Sequence, residues 1–213
     1  MNADAPAGLA GLLSVAGPGL GQEAVAAPAG VPAELSALWA QRNGWVAFWS
    51  ALHVFPLGPA AADPDAAAVQ NVLREHFDGL AAGHFAFGQD LFGVLMTWHE
   101  DHVCAFDPET AGHEPIAADL EGWATALLEE PEALAGSAFA FDWQERHGAL
   151  EPGERLVPLV PFVLGGKYDD ANLEPRDTLM ALRERAVLAR ALVDLPDGAE
   201  IPWPLPGTRE EEA

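Results

Sequence analysis

Residues 92–106 read Phe92-Gly-Val-Leu-Met-Thr-Trp-His-Glu-Asp-His-Val-Cys-Ala-Phe106, and this stretch decides the fold class. Phe92–Trp98 and Val103–Phe106 are apolar, and they flank the polar His99-Glu-Asp-His102. That pattern predicts a hairpin with an acidic tip. Immediately upstream, Phe85 and Phe87 alternate with small residues, so strand character begins near residue 84. Downstream, Asp107-Pro-Glu-Thr-Ala-Gly112 consists of turn-forming residues, and Ile116 falls on a further short strand.

Helical periods lie on either side of this β segment. Pro32 suits a first helical position, and Leu35, Leu38, Trp39 and Arg42 follow on one stripe, stopped by Asn43-Gly44. Trp45, Phe48, Trp49, Leu52, Val54 and Phe55 form a cluster read as core packing, its tryptophans included. Asp63-Pro64 reads as a cap followed by Pro at the first position of a second helix, whose stripe is Val69, Val72, Leu73, Phe77 and Leu80. His76 lies beside that stripe as a packed or surface residue. Asp119 caps a third helix with Leu120, Trp123, Ala124, Leu127 and Leu128 inward, ended by Pro131. In Arg155–Leu164 the two prolines Pro158 and Pro161 remove backbone donors, which places the segment at a sheet edge or extended on the core, turned by Gly165-Gly166. A last helix is predicted over Pro175–Val193, carrying Arg176, Arg183, Arg185 and Arg190. Helices on both sides of antiparallel strands make one α+β domain over residues 31–200, with a mostly antiparallel sheet packed against helices. Residues 1–30, rich in Ala, Gly and Pro, read as a flexible lead-in that has room for a short helix around Leu9–Val15. Residues 201–213 read as an acidic tail.

Composition narrows the function. The chain has 213 residues, 33 acids against 10 bases, a formal charge of −23, and is 50% apolar. That apolar share supports a core and argues against wholesale disorder. Between Arg74 and Arg146 there is no base, and residues 75–145 carry 15 acids. Phosphate contacts need clustered Lys and Arg, so direct nucleic-acid binding is not expected. One cysteine, Cys104, excludes an internal disulfide. Residues 1–30 lack a basic start and an unbroken apolar run, and no stretch has the length of a membrane span. The expectation is a cytoplasmic protein.

Catalytic patterns are absent from the sequence. None of Ser14, Ser36, Ser50 and Ser137 sits in a nucleophile elbow. Cys104 and His102 share a strand face, a spacing that suits a thiolate–imidazole pair but more often marks a small buried hydrophobe. His99 and His102 are three apart, where zinc-binding pairs on a helix are four apart, and a hairpin tip reads as a solvated turn. Gly17–Gly21 follows no strand, and Gly165-Gly-Lys167 lacks the loop and the Ser or Thr of a phosphate-binding loop. No catalytic residue, cofactor or metal is therefore assigned.

The order of several segments resembles the SUKH superfamily, the SMI/KNR cell-wall-regulator and immunity-protein group. The segments are Val31-Pro-Ala-Glu-Leu-Ser-Ala-Leu-Trp-Ala-Gln-Arg-Asn-Gly44, Phe87-Gly-Gln-Asp90, Phe106-Asp-Pro-Glu-Thr110, the 116–123 helix entry, 155–166 and Leu195-Pro-Asp-Gly198. The resemblance covers about residues 31–200. It implies an α+β domain without a catalytic set, and for bacterial members an immunity protein that binds and neutralises a toxin. Fungal members act as interaction hubs. The expected function is thus a non-enzymatic protein-binding module that occludes a basic, nuclease-type toxin. Glu100, Asp101, Asp107, Glu109, Asp119 and Glu121 are the expected partner-binding acids. The alternatives are a general scaffold or regulator, and a metal-dependent enzyme using His99 and His102.

Overall fold

In the computed structural model, which describes residues 8–22, 30–58, 64–151, 153–193, 195–196, 198–199, 201–206 and 208, the quoted stretch forms the predicted hairpin. Strands β1 (Trp45–Ala47), β2 (Leu52–Val54), β3 (Phe85–Gln89), β4 (Leu95–His99), β5 (His102–Phe106) and β6 (His113–Ala117) make one antiparallel meander in sequence order. His99 stands opposite His102, and the two turn residues, Glu100 and Asp101, have φ of 47° and 60°. Two successive left-handed residues are the requirement of the turn whose twist matches a two-residue hairpin.

Seven helices accompany the sheet among the described residues: α1 (Gly8–Val15), α2 (Ala33–Gln41), α3 (Ala66–His76), α4 (Leu120–Glu129), α5 (Pro131–Ala135), α6 (Ser137–His147) and α7 (Thr178–Leu192). A second, two-stranded sheet pairs β7 (Glu154–Pro158) with β8 (Leu173–Asp177). The chain is a single α+β domain.

Both faces of the large sheet are covered. Side chains alternate, so Leu95, Thr97 and Phe106 share one face while Met96, Trp98 and Val103 share the other. On the first face, Phe77, just after α3, meets Phe106 edge-on at 5.6 Å, and the Gln89 amide donates to the Thr178 hydroxyl at the start of α7, 3.0 Å away. On the second, Trp39 of α2 packs edge-on against Phe85 and Trp123 of α4 against Phe87. Cover on both sides explains why Leu95-Met-Thr-Trp98 is buried throughout, with no polar-out alternation. Trp123 is fully buried, and truncating it to Ala costs about 3–5 kcal/mol.

Several sequence expectations change. Leu9 and Leu12 of α1 are buried in the core, and α1 packs on α4, so the core reaches into the expected lead-in. Arg42 holds this segment by donating to the carbonyls of Leu13, Ala16 and Gly17. Pro32 is the cap of α2 and not its first residue. Asp63 lies outside the described residues, and α3 is capped by Asp65, whose side chain accepts from the Ala68 N–H. Trp39 and Trp45 are buried as expected, but Trp49 is 60% exposed. Its loop joins β1 to β2, and φ is positive at Phe48, Trp49 and Ser50, which swings the indole out of the core against Phe141. Phe139, Phe141 and Trp143 belong to a helix, α6. The last helix starts at Thr178, capped by Asp177, because Leu173–Asp177 pairs with β7. The prolines at 158 and 161 fall at and beyond the end of β7, in keeping with an edge segment.

Candidate functional site: an aromatic cleft above buried charges

Asp90 follows the last residue of β3. Its carboxylate accepts the N–H groups of Phe92 (2.9 Å) and Val94 (2.8 Å), an Asx-type turn that connects β3 to β4. Gly93 in this turn has φ +78°, and a Cβ there would lie 2.7 Å from an Arg185 guanidinium nitrogen, so the position requires glycine twice over. The turn presents the Phe92 ring to Phe139 of α6 and to Tyr168 and Phe162 of the loop after β7. Tyr168 stacks on Phe162 with centroids 3.7 Å apart and is 64% exposed.

These rings divide a cleft into two lobes. The larger, about 620 Å³, lies over the sheet residues Met96 and Ala105 and is walled by Leu134, Gly136 and Phe139. The smaller, about 220 Å³, lies between the Asp107–Thr110 turn and Phe162–Val163, with Arg185 at its base. Beneath the cleft four charged side chains are buried together: Asp90, Glu109, Arg155 and Arg185. Glu109 accepts the Val163 N–H through one oxygen at 3.0 Å, while its other oxygen has no hydrogen-bond partner. Desolvation raises the Asp90 pKa to about 7, against the lowering pull of its backbone donors and of Arg185 and Arg155. Burial also raises Glu109, partly offset by Arg185, and lowers Arg185, whose acidic neighbours oppose the shift. The Tyr168 phenol is raised by burial and by Asp90, Glu109 and Asp107, so it stays protonated at neutral pH.

A carboxyl poised near neutrality at a cleft is a group that acid–base chemistry can use. Here one of its oxygens is committed to two backbone donors, and among the described residues neither lobe is lined by Ser, Cys or His. The arrangement suits holding a side chain: aromatic walls for an aliphatic or cationic stem, and acids at the rim and base for its charge.

The six expected partner-binding acids separate. Asp107 stays on the cleft rim, where its carboxylate accepts from the Glu109 N–H and the Thr110 hydroxyl. Glu109 is 3% exposed, so it is part of the buried charge network and not of a solvated acidic surface. Its turn folds under the Val163 segment, which supplies the N–H that holds it. Glu100 and Asp101 are exposed at the β4–β5 turn. Asp119 is the exposed cap of α4, and Glu121, also exposed, accepts the Leu9 N–H and so ties α1 to α4. Cys104 is buried and its thiol is raised by burial and by Glu100, while exposed His102 turns its Nδ1 to the Glu100 carbonyl. The thiolate–imidazole pair is therefore not formed. Sequence reading missed Asp90, Phe92, Tyr168 and Arg185. Of these, Asp90 left a signal, since an Asp two residues before a Phe-Gly pair marks an Asx turn.

No family model and no curated protein matches the chain. Among solved structures it is similar to the crystal structure of Atu4351 from Agrobacterium tumefaciens. The identity is 15%, covering 73% of this chain and 75% of that one, with a TM-score of 0.47. Among the described residues no helix is long and apolar enough to cross a membrane.

Proposed function

We propose that the protein is a non-enzymatic binding module of the immunity-protein kind, which neutralises a basic toxin domain by occlusion in the cytoplasm. The observation that carries this reading is where the bases go. Arg155 and Arg185 are buried, and Arg42 donates to backbone carbonyls. Arg74, Arg146 and Arg176 face Glu75, Asp170 and the pair Glu174 and Glu184. Six of the ten bases in the chain are thus engaged internally or by acids, against 33 acids. The two buried arginines are matched by the buried acids Asp90 and Glu109, so the outer surface keeps the strong negative charge of the sequence, which speeds capture of a basic partner and disfavours acidic ones. The cleft supplies the anchor. A Lys or Arg of the partner would lay its stem between Phe92 and Tyr168 and bring its charge to Asp107, competing with the phosphate such a cation would otherwise hold.

The test is co-production with the toxin encoded beside this protein's gene. Protection of cells, together with a complex whose association slows as salt rises, is expected. Tyr168→Ala should weaken the complex about tenfold or more without lowering stability, because an exposed aromatic anchor contributes to binding and little to folding. A toxin that remains active in the presence of excess protein ends the proposal.

A further inference from the structure

On the sheet face that carries Thr97 and Phe106, three histidines meet that are far apart in sequence. His84 immediately precedes β3, His99 ends β4 and His113 begins β6. Each offers one ring nitrogen, and the three nitrogens lie within 4.8 Å of one another. His84 and His99 stack at 3.9 Å, and His113 meets both edge-on at 4.7 and 4.8 Å. We propose that His84, His99 and His113 form a binding site for a divalent transition-metal ion of the zinc class.

Two features beyond proximity support it. The first is the tautomer of His84. The Thr97 hydroxyl lies 2.9 Å from His84 Nδ1 and 3.4 Å from the Cys104 carbonyl, so by donating to the carbonyl it accepts the Nδ1 hydrogen. In that tautomer Nε2 keeps its lone pair for a ligand. A fixed second partner on the far nitrogen is the usual support of a metal-bound imidazole. The second is His99, whose buried Nδ1 has no hydrogen-bond partner. Gly83, at φ +81°, packs within what would be 3.1–3.2 Å of this ring, so the backbone closes over it on that side. The strongly acidic chain also draws cations inward.

The cluster is open on one side, because His113 is exposed on an edge strand. Nitrogens around one tetrahedral ion stand about 3.3 Å apart, given metal–nitrogen bonds of about 2.0–2.1 Å. Binding therefore unstacks His99 and swings His113 inward while Thr97 keeps His84 in place. Three imidazole nitrogens suit zinc, nickel or copper, and suit calcium or magnesium poorly.

The experiment titrates Zn2+ into the full chain at pH 7 by calorimetry, with Co2+ as a spectroscopic probe. One equivalent should bind with a rise in Tm, and Co2+ should shift or broaden the ring signals of His84, His99 and His113. His113→Gln and His99→Gln should each weaken Zn2+ binding about tenfold or more, whereas His147→Gln should leave it unchanged. Absence of saturable binding at micromolar Zn2+, or binding untouched by both cluster variants, overturns the proposal. The Co2+ measurement on the unmodified chain decides the matter by itself. Perturbation of other histidines in place of these three is equally fatal.

Discussion

The domain sets two polar clusters against its large sheet, and their buried members are accommodated in opposite ways. Asp90, Glu109, Arg155 and Arg185 are charged groups compensated by one another and by backbone donors. His84, lowered by burial and by the two rings beside it, avoids charge by staying neutral, with Thr97 at one ring nitrogen. A compensated network is closed: removing one member strands the others. The histidine cluster is open, since it can lose the exposed His113 ring with little penalty and can accept a cation from outside. The first cluster is the rigid floor of a cleft, and the second is free to respond to a ligand.

The largest effect that can break this contrast is removal of Arg185. Arg185→Met should lower stability by about 3–5 kcal/mol in urea denaturation, because Glu109 and Asp90 would stay buried without their cation. Adding Glu109→Gln to that variant should restore part of the loss. If Arg185→Met is instead neutral, the two clusters do not differ in kind. His113→Gln, by contrast, removes an exposed ring and should cost no more than about 0.5 kcal/mol.

The clusters also differ in the sign of their response to pH. Asp90 has a folded pKa of about 7, above its unfolded value, so it favours the fold below about pH 4 and loses that contribution as pH rises towards 7. His84, lowered to about 4, contributes fully above about pH 6.5 and loses its contribution as pH falls towards 4. His53, lowered well below its usual value by burial and by Arg155, acts in the same direction as His84. Between about pH 4.5 and 6 the carboxyl and His84 therefore nearly cancel. Asp90→Asn keeps the oxygen that accepts from Phe92 and Val94, and should make stability climb more steeply with pH, by about 1.4 kcal/mol per unit at most. His84→Gln should flatten the climb by a similar amount. Denaturation midpoints of both variants across this range check the opposition, which fails if both slopes move the same way.

How far each cluster was legible in the sequence follows from how it is built. The hairpin at 92–106, the α4 stripe from Leu120 to Leu127 and the caps at Asp119 and the 155–164 edge are local patterns, and the fold class followed from them. Residues 139–143 carry no helical signal, because Phe139, Phe141 and Trp143 stand two apart, yet they lie on α6, where Trp143 is buried and Phe141 exposed. Pro175 was absorbed into the last helix because the pairing of β8 with β7 is a long-range fact that leaves no local mark. The charge network joins residues from the β3–β4 turn, the 107–110 turn, β7 and α7, so no window of sequence contains it. Glu109 in particular is indistinguishable by sequence from the solvated acids around it.

The smallest effect sharpens the histidine side of the comparison. In the sequence, His99 and His102 make the natural pair, three residues apart across a tip, and in the fold they do stand opposite each other. Register alone, however, does not bring ligand atoms together. The left-handed turn at Glu100 and Asp101 lets His102 give its Nδ1 to the Glu100 carbonyl at 2.8 Å, with the ring in solvent. His99 leans instead towards His84, under the cover of Gly83. His102→Gln should therefore change stability by no more than about 0.5 kcal/mol in thermal or urea denaturation. It should also leave Zn2+ uptake within about twofold of the unmodified chain, where His99→Gln reduces it tenfold or more. A loss in His102→Gln equal to that in His99→Gln would return the site to the hairpin tip and make it a property of two adjacent strands. Retention would make it a property of the whole sheet, assembled from the entry to β3, the end of β4 and the start of β6.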